Sequence, residues 1–174
     1  VPDDTRLFVR ADRSDDIAAA LELTRGRRSV VLVGGTGAVL HVKTLSQRSF
    51  SVVLAPPAAG DVDPSAARDR ARAAAALVDQ GVATAFGSTM GTDLRGMARD
   101  AVAEGMTEAQ AMRTLFGGVG QVLGRQTMGD LTRGRLTVVG PARFVVVRGS
   151  PLAALPQVWT DRTAEARPAQ PTMA

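Results

Sequence analysis

The feature that most constrains this chain is the alternation of short β-branched runs with helical segments through its first two thirds. That order requires a parallel sheet covered by helices. Val30-Val31-Leu32-Val33 is the clearest case: an unbroken apolar run of the kind buried on both faces, followed by Gly34-Gly35-Thr36-Gly37 and a helix expected from about Ala38 to Arg48. Leu7-Phe8-Val9 precedes it as a short strand. Ser14, with Asp15 and Asp16 behind it, supplies a cap oxygen and negative charge for a helix whose apolar positions Ile17, Ala20 and Leu21 recur at helical spacing until Gly26. Residues 51–55 (SVVLA) form a third strand, and a loop rich in Pro and Gly leads to an alanine-rich helix over 65–80. Residues 82–86 (VATAF) form a fourth strand, a glycine-containing loop spans 87–93, and a helix covers 94–104. Thr107 with Gln110 is a capping box that opens a further helix with Ala111, Met112 and Leu115 on its core side. Four strand-helix units follow in succession.

The period changes after Gly124. Residues 136–139 and 144–147 are β-rich and separated by Gly140-Pro141, as in an antiparallel pair or meander. The expected organisation is an α/β segment over 1–128, strands of a small β-sandwich over 129–162, and a disordered tail over 163–174, where Ala, Pro and Arg leave little to bury.

Composition excludes several chemistries. Cysteine is absent, so disulfides, thiolate metal sites and cysteine nucleophiles are impossible. His41 is the sole histidine, so a centre built on two imidazoles cannot come from this chain alone. Lys43 is the sole lysine among 21 basic residues, and the sequence pI of 11.1 reflects arginine more than the modest net charge of +4. Arginines are scattered, aromatics are 3% and tyrosine is absent, which argues against nucleic acid as a partner. The densest cluster, residues 68–72 (RDRAR), alternates in charge as a solvated helix face does. No apolar run is long enough to span a membrane and no signal peptide is visible, so a soluble protein of open compartment is expected. Val1 in place of Met suggests a processed product or an excised piece.

Familiar motifs are incomplete. The Gly34–Gly37 turn lacks the third glycine of a dinucleotide fingerprint, since Leu40 occupies that position, and it reads as a tight βα turn that could also hold an anion. Gly87-Ser88-Thr89-Met90-Gly91 has its serine beside the first glycine rather than between two, so it is no nucleophile elbow. Walker-type phosphate loops are absent. Asp12, just past a strand end, stands apart from Asp15 and Asp16, which helix capping explains.

Taken together, residues 7–21 (LFVRADRSDDIAAAL), 29–42 (SVVLVGGTGAVLHV), 51–56, 81–90 and 107–124 resemble the C-terminal half of an amidohydrolase-superfamily protein, nearest to the imidazolonepropionase-like branch. Residues 129–135 (GDLTRGR) and 143–152 (RFVVVRGSPL) are similar to that family's closing segment, where the chain leaves the barrel to complete a small β-sandwich. The resemblance implies the C-terminal half of a (β/α)₈ barrel and a metal-dependent hydrolase using zinc or another divalent ion, with ligands at the carboxyl ends of the strands. This sequence departs from the family at each ligand position. Arg10 stands where the family has histidine before Ala-Asp, Gly34 and Gly35 where another strand ends in histidine, and Thr89 where the last ends in aspartate.

These substitutions predict a segment without a metal site or cofactor of its own, non-catalytic alone, with a structural or anionic-ligand role. Its mouth would be lined by Arg10, Asp12, Thr36, His41, Ser88, Thr89 and Asp93. A barrel needs roughly 250 residues, so the partner expected is a missing N-terminal half, a second chain or a second copy. Two alternatives remain: an active hydrolase of amide or cyclic-amide bonds completed by another polypeptide, and an unrelated α/β module binding a phosphorylated ligand at the Gly34–Gly37 turn.

Overall fold

A computed structural model describes residues 5–56, 64–87, 93–123, 144–146, 150, 152 and 157–159. Its centre is a four-stranded parallel sheet in the order β1 (Leu7–Ala11), β2 (Val30–Gly34), β3 (Ser51–Leu54), β4 (Ala83–Phe86). Each strand is followed by helical structure, so the fold is α/β with sequential parallel strands, as the alternating pattern requires. The helices are α1 (Ser14–Leu23), the 3₁₀ turn α2 (Thr36–His41), α3 (Val42–Gln47), α4 (Pro64–Asp79), α5 (Leu94–Ala103) and α6 (Glu108–Met112). A π turn at Arg113–Gly117 leads from α6 into α7 (Gly118–Val122).

The register aligns Arg10, Val33, Val53 and Ala85 in one row across the sheet, and Phe8, Val31, Ser51 and Ala83 in the row behind it. Side chains alternate along a strand, so these two rows share one face. Val9, Ala11, Val30, Leu32, Val52, Leu54 and Phe86 share the other face and pack into the main core with Ile17, Leu45, Ala74, Leu77 and Ala98 from the helices. Leu32, Leu45, Leu54 and Leu77 are fully buried. At about 1.5–3 kcal/mol per side chain, this layer dominates the stability.

Among the described residues, the opposite face is covered at its amino end. There Val122 packs on Val31 and Ala85, and Arg6 Nη1 donates to the Val122 carbonyl oxygen at 2.5 Å. α7 approaches closely because Gly118 has no Cβ to meet the Thr84 carbonyl. Toward the carboxyl ends Val33 and Val53 are half-buried and Arg10 is exposed. Phe8, on edge strand β1, is 51% exposed.

Local chemistry accounts for the element ends and for two departures from expectation. The Thr107 capping box forms with both bonds: Thr107 N–H donates to Gln110 Oε1 at 2.9 Å and Gln110 N–H to Thr107 Oγ1 at 3.2 Å. Ser14, expected to cap α1, is instead its first residue behind Arg13, because its hydroxyl is engaged by His41. The helix expected over 38–48 opens as a 3₁₀ turn, since Gly35 takes a left-handed conformation (φ 77°) and the turn's amides are drawn back onto the β1–α1 loop.

Strand β5 (Phe144–Val146) pairs antiparallel with β6 (Gln157–Trp159). The partner anticipated at 136–139 lies outside the described residues, as do the tail at 163–174 and most of the expected sandwich.

Candidate functional site

In parallel α/β sheets, ligands bind beyond the carboxyl ends of the strands. At that edge the β1–α1 loop and the β2–α2 turn are laced together. Gly35 N–H donates to the Ala11 carbonyl at 3.0 Å, Thr36 N–H to Asp12 Oδ1 at 2.9 Å, and Gly37 N–H to the Asp12 carbonyl at 2.7 Å. The glycines make this approach possible. A Cβ on Gly34 (φ 119°) would sit 2.8 Å from the Ala11 carbonyl oxygen, and one on Gly37 would sit 2.5 Å from the Ser14 nitrogen. All three amides are consumed inside the fold, so the turn has none of them to offer a phosphate.

His41 closes the same junction. Its Nε2 lies 2.9 Å from Ser14 Oγ and 3.1 Å from the Ser14 carbonyl oxygen. With the proton on Nε2 the ring donates to that carbonyl and fixes the start of α1. The Thr36 hydroxyl Oγ1 is buried without a hydrogen-bond partner among the described residues.

The seven sequence candidates therefore divide. Asp12, Thr36 and His41 meet at one junction and bond to the protein itself. Arg10 stands apart from them on the open sheet face. Asp93 precedes α5, where the Gly96 amide, with smaller contributions from Arg99 and Arg95, holds its carboxyl below the usual range; Arg99 Nη2 is 3.3 Å away. Ser88 and Thr89 lie outside the described residues.

Other residues, not singled out beforehand, carry much of the polar structure. Arg48 donates to the Leu21 carbonyl at 2.5 Å and the Thr24 carbonyl at 2.7 Å, closing the carboxyl end of α1, and its guanidinium lies 5.0 Å from the Phe50 ring centre. Arg68 and Arg72 both bond to Glu104, at 2.7 and 3.0 Å, and hold its carboxyl below the usual range. Arg70, between them in sequence, turns inward to a pocket between α4 and α5.

The divalent ion implied by the sequence resemblance does not fit the residues described. Arg10 is a permanent cation, Gly34 and Gly35 have no donor side chain, and no cluster of three His, Asp or Glu residues exists among the described residues.

Fold and sheet edge define the class: sequential βα units of a partial barrel. The structure of an amidohydrolase from Thermotoga maritima is similar, with a TM-score of 0.58 over 70% of this chain and 22% sequence identity. The chain spans only 33% of that protein's length, so the likeness is to a part of its fold. No protein-family model and no curated protein sequence matches.

Proposed function

We propose that this chain is the C-terminal half of an amidohydrolase-like barrel, non-catalytic by itself, that closes against a complementary half and holds an anionic group at Arg10. The observation that carries this reading is the sheet face bearing Arg10, Val33, Val53 and Ala85. In a closed barrel that face points to the interior. Among the described residues its charged side chain is a guanidinium, and they supply no cluster of carboxylates and imidazoles for a hydrolytic metal. A guanidinium binds carboxylates and phosphates in a bidentate fork.

Association is supported by β1. This edge strand leaves Leu7 40% and Phe8 51% exposed, and an unpaired edge with apolar side chains is a template for another strand. The complementary half is an N-terminal segment, a second chain or a second copy; in the last case β1 of one copy approaches the β4 side of the other.

Native mass spectrometry with elemental analysis on the same sample tests both parts. The expected result is a particle of at least twice 18.1 kDa without stoichiometric metal. A monomer at tens of micromolar refutes closure by a second copy, and one zinc, iron, manganese or nickel per chain refutes the non-catalytic reading. Citrate or phosphate should stabilise the wild type, and Arg10→Ala should abolish that stabilisation.

A further inference from the structure

The RDRAR cluster hides one arginine. Residues four apart share a helix face while a residue two away lies nearly opposite, so Arg68 and Arg72 reach out to Glu104 and Arg70 turns in toward the sheet. Its side chain lines a pocket of about 190 Å³ between α4 and α5, together with Ala71, Phe86 at the end of β4, Asp93, Met97 and Asp100. Nη1 of Arg70 is buried and has no hydrogen-bond partner among the described residues. Burial lowers the Arg70 pKa, against the opposing charges of Asp12 and Asp100. Neither carboxylate reaches Nη1.

A guanidinium stays protonated and can only donate, so an unmatched buried N–H calls for an acceptor that the described residues do not provide. The two aspartates in the lining call for the opposite charge. Phe86, Met97 and Ala71 call for an apolar body. At roughly 30 Å³ per water, the pocket holds about six waters or one mid-sized amino acid. We propose that this pocket binds a small zwitterion, an α-amino acid with an aliphatic or thioether side chain. Its carboxylate meets Arg70, its ammonium faces Asp100 and Asp93, and its side chain lies on Phe86 and Met97. The site lies in the helix layer, away from the open sheet face that carries Arg10, so it stands or falls independently of barrel closure.

The test is titration calorimetry and thermal melting of the full chain with L-leucine and L-methionine. Parallel arms use 4-methylpentanoate, which keeps the carboxylate and loses the amine, and isoamylamine, which does the reverse. The expected result is saturable binding of at least one amino acid, at least tenfold weaker binding of both half-ligands, and a melting temperature that rises with ligand concentration as mass action requires. Arg70→Gln should abolish binding without lowering the melting temperature of the unliganded protein, because it removes a donor whose Nη1 is buried without an acceptor among the described residues. Asp100→Asn should weaken the amino acid at least fivefold and leave 4-methylpentanoate unchanged. Absence of any effect at 10 mM overturns the proposal. So does binding that survives Arg70→Gln, or an Arg70→Gln protein that no longer folds, since the guanidinium would then be a structural cation.

Discussion

Gly37→Ala isolates the junction that joins the first two βα units. The glycine is not needed for a left-handed conformation, since the residues with positive φ in this turn are Gly34 and Gly35; what it provides is space. An added Cβ would lie 2.5 Å from the Ser14 nitrogen and 3.0 Å from both the Arg13 carbonyl carbon and Ser14 Cα. All three are backbone atoms, so no side chain can swing aside. Overpacking of this kind costs about 1–3 kcal/mol. Moving the β1–α1 loop also stretches the 2.7 Å Gly37–Asp12 bond and the His41–Ser14 contacts, which adds roughly 0.5–1.5 kcal/mol for each bond lost. The smaller entropy of an alanine-containing unfolded chain offsets about 0.4–1 kcal/mol. The net loss is about 2–4 kcal/mol, or roughly 4–16 °C in melting temperature for a chain of this size. Far-UV circular dichroism melts at one fixed protein concentration measure it. Gly26→Ala is the control, because its φ is +85° but no atom lies within 4 Å of the added Cβ, and backbone strain alone costs roughly 1–2 kcal/mol. A Gly37→Ala protein within 0.5 kcal/mol of wild type would refute the claim that this junction is rigid.

Three further perturbations probe other parts of the fold. Arg48→Ala removes two bonds to the last carbonyls of α1 and the contact over Phe50, and should cost about 2–4 kcal/mol in urea unfolding; Arg48→Lys, lacking the planar fork, should recover less than half of this. Leu32→Ala, at a fully buried position on β2, should cost about 3–5 kcal/mol, and a loss below 1 kcal/mol would mean that the sheet core collapses around the gap. The Glu104 carboxyl is held below its ordinary 4.5 by hydrogen bonds from Arg68 and then Arg72. A lowered folded-state pKa makes the contribution full above pH 4.5 and removes it as the pH falls through the lowered value. Urea midpoints measured from pH 6 to pH 3 should therefore fall less steeply for the Arg68→Ala/Arg72→Ala protein than for wild type, and identical slopes would count against the pairing.

The strands were legible because short runs of β-branched and apolar residues are bounded by turn formers. VVLV and SVVL sit between breakers, and each lies in the sheet where the pattern puts it. The Thr107 capping box was equally legible, since both partners are three residues apart and the bond is local. What the sequence hid is what depends on register. Asp12 and His41 read as groups free to meet a ligand, yet their partners, Thr36 and Ser14, lie 24 and 27 residues away and come within reach only when β1 and β2 align. The same holds for Arg48, whose acceptors on α1 are carbonyl groups that leave no trace in the side-chain sequence. The RDRAR run misled in a more specific way. Its charge pattern describes the outward pair correctly and says nothing of the middle arginine, whose surroundings are set by α5 and the end of β4.

These distinctions bear on how a barrel mouth can change its work. In a complete barrel the carboxyl edge is shared between structural lacing and chemistry, with loops free to diverge because the strands below are rigid. In this chain Asp12, Thr36 and His41 have gone to lacing: each bonds another loop or helix start, and the turn amides that might have cradled an anion are spent alongside them. Arg10 on the exposed sheet face and Nη1 of Arg70 in the helix layer have no such bond among the described residues. The first stands near the carboxyl end of β1, and the second lines a pocket between two adjacent helices. Where a turn spends its amides on its own neighbours, ligand chemistry has to come from side chains that the fold leaves without acceptors.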